Sequence, residues 1–368
     1  MSDIIISGYH GFSNSGDEAL LWAILDTLRK KKSDIAFTVL SKTPKETAGE
    51  YGVKSISRYN LFHIIREMKQ AKMLLFGGGS LLQDVTSSKS LLYYLGIIAL
   101  AQKCGIKTML YANGIGPLVN KKNRKIAAKI LNKVDIITLR DDRSDEELRA
   151  LSVTKPKIVI TADPAFTIDM TESLSGGYFI RRAGVPEGAP YAVISVRHWK
   201  NSAPNFEETM ASLCDYMAKT FGISPLFVPM QYPHDSSIAK SIMGKMKEKA
   251  YLIDRNLSVP EVFSILSGAS FIVGMRLHSL IYATTLEIPA MALVYDPKIT
   301  AFMESVSQSL CLNVETLTAT DAKARLDMLI VEQEARKQKL HEAKVVLRQK
   351  AEENASYALR LLEESDTP

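Results

Sequence analysis

Residues 72–112 of this 368-residue chain read KMLLFGGGSLLQDVTSSKSLLYYLGIIALAQKCGIKTMLYA. They begin with an apolar run at 72–76, pass through three glycines and a helical pattern at 91–103, and end in a second apolar run at 108–112. Short apolar runs joined by a helix of this length are typical of a βαβ unit with parallel strands. The stretch therefore predicts one unit of a mostly parallel α/β sheet.

The same alternation of strands and helices continues along the chain. Around 167–190 it gives way to a stretch rich in Ser, Gly and Pro, which is typical of a junction between domains. Strands and helices then resume until about residue 294, and a helix-rich segment follows. We therefore predict two Rossmann-like α/β domains with mostly parallel sheets, at 1–172 and 173–335, and a helical tail at 336–368 packed on the body.

The composition excludes several classes of protein. With 46% hydrophobic and 23% charged residues the chain is globular, and its net charge of +6 is too small to indicate a nucleic-acid partner. The three cysteines are far apart and lack a Cys/His ligand spacing, so neither a disulfide framework nor a metal site is expected. The N-terminal residues lack a signal-peptide pattern and no apolar run is long enough to span a bilayer, so we expect a cytoplasmic protein.

The loops that follow the predicted strands are the candidate sites, because ligands of parallel sheets bind beyond the carboxyl ends of the strands. The first of these loops, at 8–18, reads GYHGFSNSGDE. Its glycines allow the backbone to approach an anion or a hydroxyl group closely. The alternative is a capping box, in which Ser15 caps the helix and Glu18 returns the bond. That alternative leaves Asn14 and Asp17 without an explanation.

Three more loops of the N-terminal half carry glycines or charged residues. Residues 76–84, FGGGSLLQD, permit close approach of a sugar or phosphate but lack the Lys-Ser/Thr of a nucleotide-binding P-loop. A glycine-rich turn without any ligand is the alternative. Residues 113–117, NGIGP, also follow a strand. Arg140 and Asp141 follow the next strand, where they either bind a ligand or pair at a helix start.

The strand ends of the C-terminal half differ from these because they carry cations. The four loops read RHWK at 197–200, QYPHD at 231–235, GMRLHS at 274–279 and YDPK at 295–298. Like charges brought to one edge of a sheet cost stability unless an anion offsets them. The pattern therefore predicts a small, multiply charged anionic ligand, although a single histidine near a helix start, such as His278, is more often structural.

Several of these motifs also occur together in a known family. Five motifs occur in this order: NSGDE at 14–18, GGG at 77–79, GIGP at 114–117, Arg140-Asp141 and GMRLH at 274–278. With these motifs the chain resembles the polysaccharide pyruvyl transferase family. The resemblance is greatest to its CsaB-type members, which act in bacterial cell-wall polymer synthesis. It implies a GT-B-like fold with the active site in the cleft between two domains, phosphoenolpyruvate as the donor, and no metal or organic cofactor.

The resemblance also implies roles for the cationic loops. Phosphoenolpyruvate carries a carboxylate and a phosphate, so Arg197, Arg276 and Lys298 are its predicted binding residues. His278 is the predicted general acid/base or stabilises the leaving phosphate, and Arg276 is placed in the catalytic site beside it. The alternative for Arg276 is that it points into the core and braces the loop.

The glycine-rich loops are then expected to bind the acceptor. In CsaB-type members the acceptor is a lipid-linked saccharide that carries N-acetylmannosamine, and its 4,6-linked pyruvate ketal anchors S-layer proteins. The predicted acceptor-binding residues are Asn14, Asp17, Gln83, Asp84 and Asn113.

A lipid-linked acceptor brings the enzyme to the inner face of the cell membrane. A basic helix with Ile126, Ile130 and Leu131 on one side is a candidate for contact with anionic lipid. Its cations are Lys121, Lys122, Arg124, Lys125, Lys129 and Lys133. An ordinary solvated helix face is the alternative.

Other functions also fit a two-domain α/β chain. A nucleotide-sugar glycosyltransferase of the same architecture predicts acidic residues near a donor ribose, whereas these loops are mainly cationic. A sialyltransferase-like enzyme also combines a histidine with cations that face a phosphate. The non-enzymatic alternative is a protein that binds an anionic glycan without turnover.

Overall fold

The computed structural model describes residues 2–170 and 177–365. The chain divides into two compact units, one made of Met1–Ile168 with Leu347–Pro368 and the other of Asp169–Val346. Each unit contains one sheet whose strand pairings are parallel, so the predicted α/β fold class is confirmed. The predicted domain boundary at 172/173 lies outside the described residues.

The first unit has a seven-stranded sheet in the order β3-β2-β1-β4-β5-β6-β7. The order reverses between β1 and β4, and in sheets of this kind the loops beside such a reversal form the ligand crevice. The elements are β1 (Ile4–His10), α1 (Ser15–Lys31), β2 (Phe37–Ser41), α2 (Pro44–Tyr51), β3 (Lys54–Ser57), α3 (Leu61–Met68), β4 (Met73–Gly77), α4 (Ser88–Lys103), β5 (Lys107–Asn113), α5 (Lys121–Leu131), β6 (Ile136–Leu139), α6 (Asp142–Ala150) and β7 (Lys157–Ile160).

Apolar layers cover both faces of this sheet. One layer joins the strands to α3, α4, α5 and α6 through residues such as Ile64, Leu95 and Leu131. The other joins them to α1 and to the end of the last helix through residues such as Ile24 and Ala358. Because the inner strands are buried on both faces, most of their residues are apolar, as in other parallel sheets.

The second unit has a six-stranded sheet in the order β10-β9-β8-β11-β12-β13. The elements are α7 (Gly177–Arg182), β8 (Tyr191–Ser195), α8 (Phe206–Phe221), β9 (Ser224–Phe227), α9 (His234–Met243), β10 (Tyr251–Leu252), α10 (Val259–Ser267), β11 (Ile272–Gly274), α11 (Leu277–Thr285), β12 (Ala290–Val294), α12 (Pro297–Ser305), β13 (Cys311–Asn313), α13 (Ala319–Val331) and α14 (Gln333–Glu364). Helix α14 is shared, since its residues up to Val346 belong to the second unit and those from Leu347 to the first. The two units therefore divide the chain within α14, whereas the sequence predicts a helical tail at 336–368 packed on the body.

Candidate active site

The four cationic loops of the second unit lie at one edge of its sheet. They follow β8, β9, β11 and β12, which are consecutive neighbours in a parallel sheet. Two side-chain contacts join the loops. Arg197 Nη1 donates to the Tyr295 hydroxyl at 3.3 Å, and Arg276 Nη2 donates to Gln231 Oε1 at 2.9 Å. The structure therefore places the loops that carry the predicted donor-binding residues at the same sheet edge.

Arg276 is held in place by a buried carboxylate. Its Nε and Nη2 donate to the two oxygens of Asp235 at 2.7 and 2.6 Å, and the side chains are 13% and 2% exposed. Such a bidentate pair fixes the guanidinium plane. Asp235 also accepts from the Gln231 backbone N–H at 2.9 Å, which ties the loop after β9 to the same pair. Arg276 therefore braces the loops, and its Nη1 makes no hydrogen bond to the described residues.

The other two predicted cations have different surroundings. Lys298 Nζ lies 3.2 Å from Asp296 Oδ2, and Asp296 also caps α12 by accepting from the Lys298 backbone N–H at 3.0 Å. Arg197 has no carboxylate partner among residues 2–170 and 177–365. Its Cζ instead lies 5.1 Å from the ring centroid of Tyr295 and 5.9 Å from that of Trp199. Arg197 is therefore the cation best placed to attract an anionic ligand.

His278 is the second residue of α11 and lies two residues after Arg276. It is partly exposed, and its ring centroid lies 6.1 Å from that of Tyr282, one turn later in the helix. Ser279 Oγ donates to the Arg276 carbonyl at 2.6 Å and closes the turn. A Cβ on Gly274 would lie 2.6 Å from Ser279 Oγ, so the turn requires glycine at 274. The local motif thus presents His278 at the strand end.

In the first unit, Asn14 and not Ser15 caps α1. The helix begins at Ser15, and Asn14 Oδ1 accepts from the Gly16 backbone N–H at 3.2 Å. The capping-box alternative is therefore wrong. Glu18 makes other contacts, since its carboxylate accepts from the Gly11 N–H at 2.8 Å and from the Tyr51 hydroxyl at 2.9 Å.

Two titratable groups of this loop are enclosed by the fold. Burial raises the pKa of Glu18 to about 7, against the effect of its hydrogen bonds from Gly11 and Tyr51. Burial and the nearby Arg58 guanidinium lower the pKa of His10 to about 3. His10 is only 1% exposed and is therefore a neutral part of the core that does not exchange protons with a ligand.

Gln in place of Glu18 is expected to remove one pH dependence of the stability. A carboxyl group whose pKa is raised on folding holds its proton better in the folded state, so its contribution is present at low pH and is lost as the pH rises from about 4.5 to about 7. The shift corresponds to about 3 kcal/mol. Urea unfolding of both proteins across this pH range measures the effect. His10 is present in both proteins, so its effect on stability is the same in each. Identical pH profiles of the free energy of unfolding would therefore contradict the expectation.

The glycine loop after β4 packs against the start of α1. A Cβ on Gly79 would lie 3.3 Å from Asp17 Oδ1, so the loop after β1 and the loop after β4 meet at this carboxylate. Asp17 itself is 9% exposed. On the other side, Arg140 donates to Ser80 Oγ at 2.7 Å and to Asp163 at 2.9 Å. Arg140 therefore joins three strand ends, rather than pairing only with Asp141.

Three of the predicted acceptor-binding residues have partners within the first unit. Asn113 is 0% exposed and donates to the Phe76 and Tyr111 carbonyls at 2.9 and 3.0 Å. Asp84 accepts from the Val119 N–H at 2.7 Å and from two further donors at the start of α5. Gln83 bonds to Thr86. These contacts give all three a structural role, as capping of α1 does for Asn14. Asn14 and Asp17 both lie beside the sheet reversal.

An aromatic cluster at this edge was missed by the sequence analysis. Tyr9 and Phe12 are partly exposed and stack with their ring centroids 3.9 Å apart and their planes 8° apart. Lys42 Nζ and Arg58 Cζ lie 4.9 and 5.1 Å from the Phe12 ring centroid. The sequence gives no periodic signal for this cluster, because Lys42 and Arg58 reach Phe12 from the ends of two other strands, β2 and β3.

Two structural features are absent from the described residues. Within residues 2–170 and 177–365, no three His, Cys, Asp or Glu side chains converge as metal ligands. Among the helices of the same residues, none combines the length and the apolar character needed to cross a bilayer.

Comparison with known proteins identifies the family. The sequence profile of the family described as polysaccharide pyruvyl transferase matches residues 14–297, which include the loops of both sheet edges up to the start of α12. The chain belongs to this family. It is therefore a pyruvyltransferase, and the family resemblance drawn from the motifs is confirmed. The narrower resemblance to CsaB-type members stays a prediction.

A curated relative agrees with an activity on polysaccharides. The amylovoran biosynthesis protein AmsJ of Erwinia amylovora is 19% identical over 360 residues, which cover 82% of this chain and 86% of that protein. Together with the family match, this similarity supports transfer of pyruvate to a polysaccharide.

Solved structures with the same architecture include proteins bound to UDP or to a UDP-sugar. The UDP-GlcNAc 2-epimerase of Neisseria meningitidis bound to UDP-GlcNAc has a TM-score of 0.67 at 12% identity, over 99% of this chain and 100% of that chain. MnaA of S. aureus with UDP has a TM-score of 0.66 at 12% identity, over 98% of both chains. Anabaena Alr3699/HepE with UDP and glucose has a TM-score of 0.65 at 9% identity, over 99% and 100%. At these identities the likeness shows a GT-B-like fold alone, and the predicted active site between two domains stays a prediction.

Proposed function

We propose that this pyruvyltransferase uses phosphoenolpyruvate as its donor and forms a 4,6-linked pyruvate ketal on N-acetylmannosamine of a lipid-linked cell-wall glycan precursor. The observation that supports the proposal is that the loops carrying Arg197, Arg276, His278 and Lys298 follow neighbouring strands and lie at one edge of the second sheet. A three-carbon enol phosphate has two anionic groups, and this edge offers cations from three separate loops.

The donor is held in this proposal by Arg197, by the remaining Nη1 of Arg276 and by Lys298. Guanidinium groups bind carboxylate and phosphate oxygens through strong charge-assisted hydrogen bonds. Asp235 and Asp296 offset part of the positive charge. These carboxylates reduce the repulsion among the cations when no donor is bound. Arg197, which has no carboxylate partner among the described residues, remains to attract the donor.

The reaction requires one net proton transfer at each of its two stages. In the first stage one sugar hydroxyl attacks C2 of phosphoenolpyruvate and loses its proton, while the methylene carbon gains a proton and becomes the methyl group. In the second stage the C2–O bond to phosphate breaks, inorganic phosphate leaves, and the second sugar hydroxyl closes the ring with loss of its proton. His278 is the partly exposed histidine suited to move these protons or to stabilise the leaving phosphate.

The acceptor is assigned in this proposal to the edge of the first sheet. Asn14 and Asp17 supply hydrogen-bonding groups there, and Tyr9 and Phe12 supply ring surface against which the apolar face of a sugar packs. N-acetylmannosamine, the lipid carrier and a role of the product in anchoring S-layer proteins rest on the resemblance to CsaB-type members. The reaction needs no metal or organic cofactor in this proposal.

Incubation of the purified chain with phosphoenolpyruvate and a synthetic acceptor that carries N-acetylmannosamine tests the proposal. We expect release of one phosphate per acceptor and a product heavier than the acceptor by one pyruvic acid minus one water. The matched control replaces the donor with UDP-N-acetylglucosamine, since enzymes of the same fold are known with UDP bound. Turnover of the UDP-sugar without use of phosphoenolpyruvate, or binding of the donor without phosphate release, would contradict the proposal.

A further inference from the structure

One segment of the first unit concentrates the positive charge of the whole chain. Residues 59–133 contain twelve Lys or Arg and two Asp or Glu, a net charge of +10. The whole chain has 46 basic and 40 acidic residues, so the remaining 34 basic and 38 acidic residues carry a net charge of −4. Asp3, Asp135 and Glu147 offset part of this charge by pairing with Lys72, Lys107 and Arg124. The remaining asymmetry is typical of a surface for an anionic partner.

Exposed apolar side chains concentrate in the same segment. Thirteen large apolar side chains are exposed among the described residues, and seven of them lie at or just before the starts of α3, α4 and α5. Phe62 is 91% exposed and Val119 is 71% exposed. We call the seven residues the apolar rim: Tyr59, Leu61, Phe62, Val85, Leu92, Val119 and Ile126.

The apolar rim lies along one edge of the first sheet. Helices α3, α4 and α5 pack on the same face of the parallel sheet, so their first turns lie at the same edge. The Tyr93 hydroxyl donates to the Arg58 carbonyl at 2.8 Å and joins the start of α4 to the loop before α3. Asp84 and Asn123 join the loop before α4 to the start of α5 at 2.9 Å.

Lysines lie beside the apolar rim without acidic partners. Four exposed lysines in the first two turns of α4 and α5 form no ion pair with any of the described residues. We call them the basic flank: Lys89, Lys121, Lys122 and Lys125. The structure differs here from the predicted membrane helix, because Leu131 is buried at 1% exposure and Arg124 pairs with Glu147 at 2.9 Å. The apolar part of the surface therefore lies at the starts of three helices and not along α5.

We propose that the apolar rim and the basic flank dock the first unit on an anionic phospholipid bilayer. Apolar side chains enter the boundary between headgroups and acyl chains, and lysines interact with anionic headgroups at the same depth. A second copy of the chain is a poorer occupant, because it would bring together eight lysines that have no acidic partner among the described residues. A nucleic acid would match the charge but leave Phe62, Val119 and the other rim residues without apolar contact.

The bilayer proposal does not rest on the identity of the donor or the acceptor. Binding of the full-length chain to vesicles is measured by co-sedimentation without phosphoenolpyruvate or saccharide. We expect binding to vesicles of equal parts phosphatidylcholine and phosphatidylglycerol, a decrease with added salt, and little binding to phosphatidylcholine alone. An absence of binding, or equal binding to both vesicles, would overturn the proposal and leave the proposed reaction untouched.

Two sets of variants separate the contributions. The rim variant F62S/V119S is expected to weaken binding about 10-fold, since each side chain is highly exposed in the free protein and loses apolar burial at the membrane. The flank variant K121E/K122E/K125E is expected to weaken it about 10²-fold or more, because each lysine near an anionic surface contributes about fivefold.

The matched controls have the same chemical change elsewhere. V331S/V345S replaces two other exposed apolar side chains, and K219E/K339E/K350E changes the net charge by the same amount as the flank variant. Both are expected to bind like the wild type. Equal losses in a control and its matched variant would overturn the proposal, as would a dimer in sedimentation velocity that the rim variant dissociates. Circular dichroism checks that each variant is folded.

Discussion

Alanine in place of His278 is expected to lower kcat by about 10²–10⁴-fold, the range for loss of a general acid/base. The residue lies at the start of α11 and is partly exposed beside Arg276. In contrast, His10 is neutral and buried, so it provides no alternative route for the proton. Both stages of the ketal reaction move a proton, so the loss is expected in kcat more than in KM.

The separation of kcat from KM distinguishes the two roles predicted for His278. If the histidine moves protons, KM for phosphoenolpyruvate is expected to stay within about threefold, because the arginines and Lys298 remain to hold the donor. If it only binds the phosphate group, KM rises and kcat falls little. The matched control is His341→Ala, since His341 is an exposed histidine on α14 that pairs with Glu287 at 3.2 Å. Near-normal turnover by the His278 variant would refute the assignment.

The strands that the sequence predicts best are the ones buried on both faces. β4 is an apolar run without an exposed position, β1 begins with three isoleucines, and a loop that contains glycine follows each strand. β3 was not predicted, because it is an edge strand of four residues in which only Ile56 is buried. α2 was missed for a similar reason, since only Thr47 and Tyr51 of its eight residues are buried. Edge elements contribute little to the core, so their sequences carry a weak pattern.

The candidate site is predictable in position but not in detail. Polar residues after strands indicate which edge is used, and the second sheet brings its four cationic loops to that edge. The pairing of Arg276 with Asp235 joins residues 41 apart in sequence, and no local pattern specifies it. The contact of Glu18 with Tyr51 also joins residues far apart in sequence, and Tyr51 ends α2, whose sequence pattern is weak. Helix-cap patterns also tolerate a shift of one residue, which is why Asn14 replaces Ser15 as the cap.

Methionine in place of Arg276 is expected to reduce the free energy of unfolding by about 3–5 kcal/mol, because it leaves a buried carboxylate without its partner. Asp235 is 2% exposed and would keep only the Gln231 N–H as a donor. Urea unfolding measures the loss. Stability within about 1 kcal/mol of the wild type would show that solvent reaches Asp235 and would contradict the buried pair.

The double variant R276M/D235M separates bracing from substrate binding. Replacing both members of a buried ion pair with apolar side chains is often neutral for stability, so the double variant is expected within about 2 kcal/mol of the wild type. If Arg276 also contacts the donor through Nη1, kcat/KM for phosphoenolpyruvate stays about 10²-fold or more below that of the wild type although stability has returned. If Arg276 only braces the loops, activity returns together with stability. We expect the first result, because Nε and Nη2 are sufficient for the pair with Asp235 and Nη1 remains available at the strand end.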